Sequence, residues 1–330
     1  MNIAVIGYGL IGKERIKAIK ELRSEGILIE KIGVYDPYVL EDKRQNTELT
    51  WLNSIDEIKQ LEPDWVVIAT PHNVAAHIAE EVIPWGCKVL MEKPFCRSYK
   101  EAELLISSLP SQNQLWVGFN YRFFKGIAAL VNDINQGVFG DLISINLVLG
   151  HGGSPGDEKI WKLDPERAGG GCLLDPGVHL LDLLRLMRPS NLKPLKGLRW
   201  QGFWKTGIDE EVHLLIDGSP CIINFQVSIV KWASTFCIQV LGKEGYGIVN
   251  GRGRSYGDQT YRRGKKWGWL VGKSQSQSEE FVLTTDCSES FHDEMDALLG
   301  RQKDYVLQPC SAEEALKDML LYQECLETIQ

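Results

Sequence analysis

Lys93 stands between an acid and a proline in "VLMEKPF" (89–95), directly after an apolar run. An ammonium is poorly suited to the end of a buried strand, and Pro94 blocks an easy helical continuation. Alone, such a pair reads as a solvated turn. A second set of reactive side chains lies in "GGGCLLDPGVHLLD" (169–182), where Asp175 and His179 are four residues apart. On a helix that spacing puts both on one face, where they can meet. An acid beside a histidine fixes its tautomer and stabilises its protonated form. The plain alternative is a helix salt bridge, which Asp182, one turn on, could share or cap.

The amino-terminal stretch "NIAVIGYGLIG" supplies the chemistry that would need such groups. Gly7, Gly9 and Gly12 form G-x-G-x-x-G around Leu10 and Ile11, directly after a strand and at the start of a helix. The first glycine allows the tight turn, the second lets a pyrophosphate approach the backbone, and the third lets helix and strand pack closely. The helix N-terminus favours the negative charge. Asp36 ends the next strand, where an acid can accept from an adenosine ribose and repels a 2′-phosphate. NAD is therefore expected ahead of NADP, with Lys43 and Arg44 keeping NADP open. With a nicotinamide at hand, His179 could exchange a proton with a hydroxyl as hydride moves.

The chain resembles the glucose–fructose oxidoreductase / inositol dehydrogenase family, the Gfo/Idh/MocA group. The likeness rests on "GYGLIG", "ATP" at 69–71, "EKP" at 92–94, "GFNYRF" at 118–123 and "GGGCLLDPGVHLLDLL" at 169–184. It implies that Lys93, Asp175 and His179 are catalytic and that Lys93–Pro94 is a cis peptide. It also implies cofactor contacts from Gly7, Gly9, Leu10, Ile11, Gly12, Asp36, Ala69, Thr70, Pro71, Glu92 and Lys93. The usual substrates of such proteins are aldoses, inositols, sugar derivatives and nucleotide-linked sugars. One departure stands at Ala75, where relatives carry a histidine; His72 and His77 lie nearby.

Tyr121, Arg122, Trp161, Lys162 and Arg167 join Asp175 and His179 as substrate candidates, since a tryptophan can stack on a sugar face and cations can bind a carboxylate or phosphate. Residues 251–273 hold seven Lys/Arg against one Asp. They read either as a solvated hairpin or as a lid for an anionic sugar.

These groups need a scaffold. Up to about residue 120, short β-rich runs (2–6, 30–36, 65–70, 87–92, 114–119) alternate with helical patterns, which indicates βαβ units and a parallel sheet. Beyond it come helices at 124–136 and 175–187. Strand-like segments follow at 141–150, 197–204, 211–218, 221–229, 235–242 and 246–251, then a closing helix at 311–329. The expected architecture is a Rossmann domain, 1–120, followed by an α+β substrate-binding and oligomerisation domain, 121–330, built on a large, mostly antiparallel open sheet. The active site is expected in the crevice at the carboxyl ends of the parallel strands.

The chain has 330 residues, 44% hydrophobic and 24% charged, with a net charge of −8. That balance suits a normally packed core and argues against nucleic acid or an anionic membrane as partner. The eight cysteines show no zinc-like spacing and read as reduced thiols, so no metal site is expected. No basic leader precedes the first strand and no run of about 18 apolar residues occurs. The reading is a cytoplasmic homodimer or homotetramer, paired through the open sheet, that moves hydride between nicotinamide and a secondary hydroxyl. The alternatives are an NAD-dependent glycosidase, a sugar–sugar hydride-swapping enzyme with retained cofactor, or a non-catalytic dinucleotide-binding regulator.

Overall fold

The computed structural model describes residues 1–330 except 42–43, 45–46, 111–113, 155, 158–159, 188, 190, 268–278 and 301–303. The chain divides into two units, Met1–Asn120 with Phe291–Met319, and Tyr121–Ser290 with Leu320–Gln330. The change of rhythm near residue 120 marks the first division. Residues 291–319, expected in the second domain, belong instead to the first unit.

In the first 120 residues the elements are β1 (Asn2–Ile6), α1 (Leu10–Ser24), β2 (Lys31–Tyr35), β3 (Thr50–Leu52), α2 (Ile55–Gln60), β4 (Trp65–Ile68), α3 (His72–Val82), β5 (Lys88–Glu92), α4 (Tyr99–Ser107) and β6 (Leu115–Gly118). Then come α5 (Lys125–Asn135), β7 (Leu142–Gly150), α6 (Pro165–Ala168), α7 (Val178–Leu186), β8 (Lys193–Trp200), β9 (Glu211–Gly218), β10 (Cys221–Ser228), β11 (Thr235–Gly242), β12 (Gly245–Asn250), β13 (Gln259–Lys265) and β14 (Glu279–Thr285). The chain ends through α8 (Ser290–Leu298), β15 (Cys310–Ser311) and α9 (Ala312–Thr328).

The sheet of the first unit runs β15-β6-β5-β4-β1-β2-β3. Its neighbours are parallel except β15, which is antiparallel to β6. Reading 3-2-1-4-5-6 along the parallel strands, this is the doubly wound order, with its switch point between β1 and β4. All four residues of β4 are buried, as expected of a strand covered on both faces. Ile16, Ile19 and Leu22, at helical spacing on α1, pack with Ile3, Val5, Ile32, Val34 and Val67 of the sheet.

The second unit's sheet runs β14-β13-β12-β11-β7-β10-β9-β8. Among the described strands only β7 and β10 pair in parallel, so it is the mostly antiparallel sheet the sequence implied. Along β9 and β10 buried residues alternate with exposed ones, so one face is packed and the other carries Leu215, Ile222 and Asn224 to solvent. Helix α7 is buried from Val178 to Leu184, which explains why it is apolar nearly all round.

Three element readings are corrected. The helix expected over 175–187 begins only at Val178. The strand expected at 197–204 is β8, starting at Lys193. The basic hairpin contains β13, an inner strand of the sheet. Among the described residues, no helix is long and apolar enough to cross a membrane.

Candidate active site

The glycine turn is built as its spacing demands. Gly7 has φ +99°, and its N–H donates to the Tyr35 carbonyl at 2.8 Å. A Cβ on Gly7 would overlap the carbonyl oxygen of Ala69, and one on Gly12 would overlap that of Gly7. Both glycines are thus required by packing alone. Gly9 is different: a Cβ there would meet nothing within 4 Å. Gly9 also caps α1 without a side-chain hydrogen bond, so the first-turn N–H groups open onto that clear space.

Asp36 follows β2 and accepts from Tyr8 N at 2.7 Å and Tyr38 N at 2.8 Å. A carboxylate has about four acceptor directions, so capacity remains for a ribose hydroxyl. Thr70, at the end of β4, carries a buried Oγ1 with no hydrogen-bond partner among the described residues. Clear space over a helix N-terminus, an acid at the second strand and an orphaned hydroxyl at the switch point together fit a dinucleotide. Leu10 is exposed and Ile11 half-buried in the first turn of α1, while Ala69 and Pro71 flank Thr70. Of the two cations that kept NADP open, Arg44 donates to Asn53 Oδ1 at 2.7 Å and lies over the Trp51 ring. Lys43 lies outside the described residues.

Lys93 directly follows β5, half-buried, and the Lys93–Pro94 peptide is cis. Glu92 accepts from Arg15 Nε at 2.6 Å, and Arg15 reaches Glu294 at 2.6 Å on its other side. Burial opposes the charge on Arg15, but Glu294 and Glu92 outweigh it and hold its pKa above the ordinary value. A Cβ on Gly118 would press on both Arg15 and Glu92, so a larger residue in β6 would have to displace this pair. At the Ala75 departure, Ala75 and His72 are buried on α3, while His77 is exposed beside Glu80.

His179 belongs to the second unit, in the first turn of α7 and 3% exposed. Its ring lies flat on that of Tyr121, 3.7 Å between centroids and 2° between planes. Burial pushes the Tyr121 phenol well above its ordinary pKa; Arg252, 5.3 Å from the ring, opposes the rise. Arg122, expected at the substrate, is only 2% exposed and forks onto Asp182, with Nη2–Oδ1 at 2.5 Å and Nε 3.0 Å from both oxygens. It is a positioning residue that ties the Tyr121 turn to α7. Asp182 is thereby given to Arg122, which corrects its reading as a partner of His179.

Asp175 stands three residues before α7, and the Asp175–Pro176 peptide is cis. The shared helix face proposed for Asp175 and His179 therefore does not exist. The Asp175 carboxylate accepts from Lys162 Nζ at 2.7 Å. Both line a cavity of about 100 Å³ with His151, Asp157, Gly171 and Trp204. Trp161 is half-buried, 5.8 Å from Lys162 Nζ, and Arg167 is exposed at the end of α6. Neither lines the cavity. A Cβ on Gly171 would overlap the Asp209 backbone, so that glycine serves close packing.

His151 and Trp204 were not singled out by sequence reasoning. The signal for His151 was its place, between the end of β7 and two glycines. Burial lowers its pKa, with Asp175 acting against the shift. Arg252 lies 3.9 Å over the Tyr256 ring and had been counted only as part of a basic stretch. Two cations of that stretch are already paired. Arg263 bridges Asp133 and Glu280, and Lys266 pairs with Glu244. Its residues 268–273 lie outside the described ones.

Comparison with known proteins shows the family and the fold. A model of the Gfo/Idh/MocA oxidoreductase family, NAD-binding Rossmann fold, matches residues 1–119, and one of the same family's C-terminal domain matches 127–247. The chain is 25% identical over 203 residues to levoglucosan dehydrogenase of Pseudarthrobacter phenanthrenivorans, covering 57% of this chain and 51% of that protein. It spans about half the length of the curated relatives it matches. In fold it is similar to levoglucosan dehydrogenase in complex with NADH and levoglucosan, with TM-score 0.81, 17% identity and 99% and 96% of the two chains covered. It is likewise similar to a 3-ketoreductase from Actinomadura kijaniata in complex with NADP and TDP-benzene, with TM-score 0.78, 15% identity and 100% and 98% covered.

Proposed function

The chain belongs to the Gfo/Idh/MocA family of NAD-binding oxidoreductases, and from that premise we propose that it transfers hydride between NAD and a secondary hydroxyl of a polyhydroxylated, sugar-type substrate. The observation that carries this reading is Lys93, placed at the carboxyl end of β5 on the edge of the sheet where the glycine turn also opens. Ligands of doubly wound sheets lie along that edge. Bound at Gly7, Gly9, Gly12, Asp36 and Thr70, the dinucleotide supplies a two-electron hydride acceptor.

The chain's own part is to hold the alcohol and manage its proton. Oxidation removes hydride from carbon and a proton from oxygen, leaving a ketone. Lys93 and His179 are the proton-carrying groups of this proposal, and the flat contact with Tyr121 fixes the plane of the imidazole. Asp175, held by Lys162, is the acid that binds substrate hydroxyls, with His151 beside it in the same cavity. The choice of NAD over NADP is supported by the Asp36 carboxylate and by Arg44 being turned to Asn53 and Trp51. A neutral substrate is favoured over an anionic one, because the basic strand β13 spends Arg263 on Asp133 and Glu280. The exposed face of the second sheet, with Leu215, Ile222 and Leu241, is assigned to pairing between subunits, and a solution mass of a single chain would refute that.

The test is absorbance at 340 nm with NAD⁺ and NADP⁺ against inositols, aldoses and sugar derivatives. Lys93→Met should lose roughly 10²–10⁴-fold in turnover while binding NADH as before. Turnover unchanged in that variant would sink the assignment. Activity without added NAD would instead point to retained cofactor recycled within each turnover.

A further inference from the structure

The cavity of the second unit does not end at its polar floor. Trp204, which lines it, meets Phe203 edge-on at 4.9 Å, and Phe203 meets Trp232 at 4.8 Å. Trp232 in turn lies against Gly152, next to His151 of the cavity wall: a Cβ on Gly152 would press into its ring. The three rings therefore form a continuous aromatic surface that begins at the cavity wall. Trp232 is 66% exposed and Phe203 48%.

Apolar rings of this size left in water tend to be folded away unless something fixes them. Here the fixing group is Glu210, fully buried, whose carboxylate accepts from Gly202 N at 3.2 Å and from Phe203 N and Trp204 N at 2.8 Å each. Hydrogen bonds to a buried carboxylate are among the stronger ones. They hold the 202–204 loop in place, while Trp204 Nε1 reaches the Ile229 carbonyl at 3.4 Å. Rigid aromatic faces beside a polar cavity suit a sugar, which offers C–H groups to a ring and hydroxyls to a carboxylate or imidazole.

Resting on the sugar-type reading above, we propose that Phe203, Trp204 and Trp232 form an outer subsite for a second sugar ring, so that the substrate class is glycosides rather than free monosaccharides. A neutral glycosidic link is favoured over the diphosphate of a nucleotide-sugar by Asp157, whose carboxylate lines the cavity beside Gly153, next to the Trp204 ring. A diphosphate passing that carboxylate would be repelled.

The experiment compares the best monosaccharide of the activity panel with disaccharides carrying it at the non-reducing end, using NAD-loaded wild type and Trp232→Ala. The expected wild-type preference in kcat/KM is about tenfold for the disaccharide. In Trp232→Ala that preference should vanish while kcat/KM for the monosaccharide stays within about twofold of wild type. A wild type without preference, or a preference that survives Trp232→Ala, overturns the proposal. So does a fall in oligomer mass of Trp232→Ala by light scattering, which would make the rings a subunit interface. If no sugar is turned over, the hydride-transfer reading fails, and the subsite is judged by titrating cellobiose and maltose against glucose. Tryptophan fluorescence quenched by a disaccharide in wild type but not in Trp232→Ala supports it, and its absence overturns it.

Discussion

Asp182→Asn removes the negative charge facing Arg122 while keeping the shape of the side chain. Both partners are nearly inaccessible, at 2% and 1% side-chain exposure, so water cannot replace what is lost. Breaking such a pair destabilises by about 3–5 kcal/mol, because the guanidinium stays buried without the charge Asp182 supplied. The second unit has roughly 180 residues. At about 2 cal/mol/K per residue, its unfolding entropy is near 0.4 kcal/mol/K, so Tm should fall by about 10 °C. Differential scanning calorimetry of the variant at neutral pH reads this directly.

The counterpart is the double variant Arg122→Met, Asp182→Leu. Apolar replacements of similar volume avoid the desolvation of two charges, so most of the lost stability should return. Turnover need not return with it, since the fork also sets the turn from which Tyr121 reaches His179. A single variant that melts within about 2 °C of wild type would refute the reasoning, as it would mean the buried pair is already weak. A double variant less stable than the single one would refute it too.

Two further outcomes are expected. The Cβ that Gly9→Val adds meets nothing in the protein within 4 Å, so unfolding by urea should be nearly unchanged. NADH affinity should drop at least about tenfold, since that space is the pyrophosphate's; equal affinity by fluorescence titration would show that the dinucleotide does not use it. His151 has a folded pKa below its unfolded one, because burial disfavours the cation and outweighs Asp175. Its neutral form therefore contributes stability that is present above the unfolded pKa and lost as pH falls through that value toward the folded one. His151→Gln should flatten this part of the stability curve between about pH 7 and pH 5, and urea midpoints falling as steeply as in wild type would exclude the assignment.

The glycine turn, Asp36 and the alternation of the first 120 residues were readable because each depends on neighbours in sequence. A turn needs its glycines within a few residues, and a βαβ unit declares itself by period. What escaped depends on partners far along the chain. Nothing local to Arg263 shows that Asp133, 130 residues earlier, will hold it. Arg122 was offered to a substrate because nothing local shows that Asp182, 60 residues on, will take it. Residues 291–319 return to the first unit through β15, only two residues long and without a periodic pattern. Asp175 is the instructive exception, since its error was local. A residue before proline is steered away from the helical region, and Asp175-Pro176 said so in the sequence itself. Spacing of four suggested a helix face; the proline after the first member should have outweighed it. His179 takes its place from α7 and the ring of Tyr121, while Asp175 takes its place from the turn and from Lys162. The two places are not independent, since, besides burial, the Asp175 charge also helps raise the pKa of Tyr121, the ring on which His179 lies.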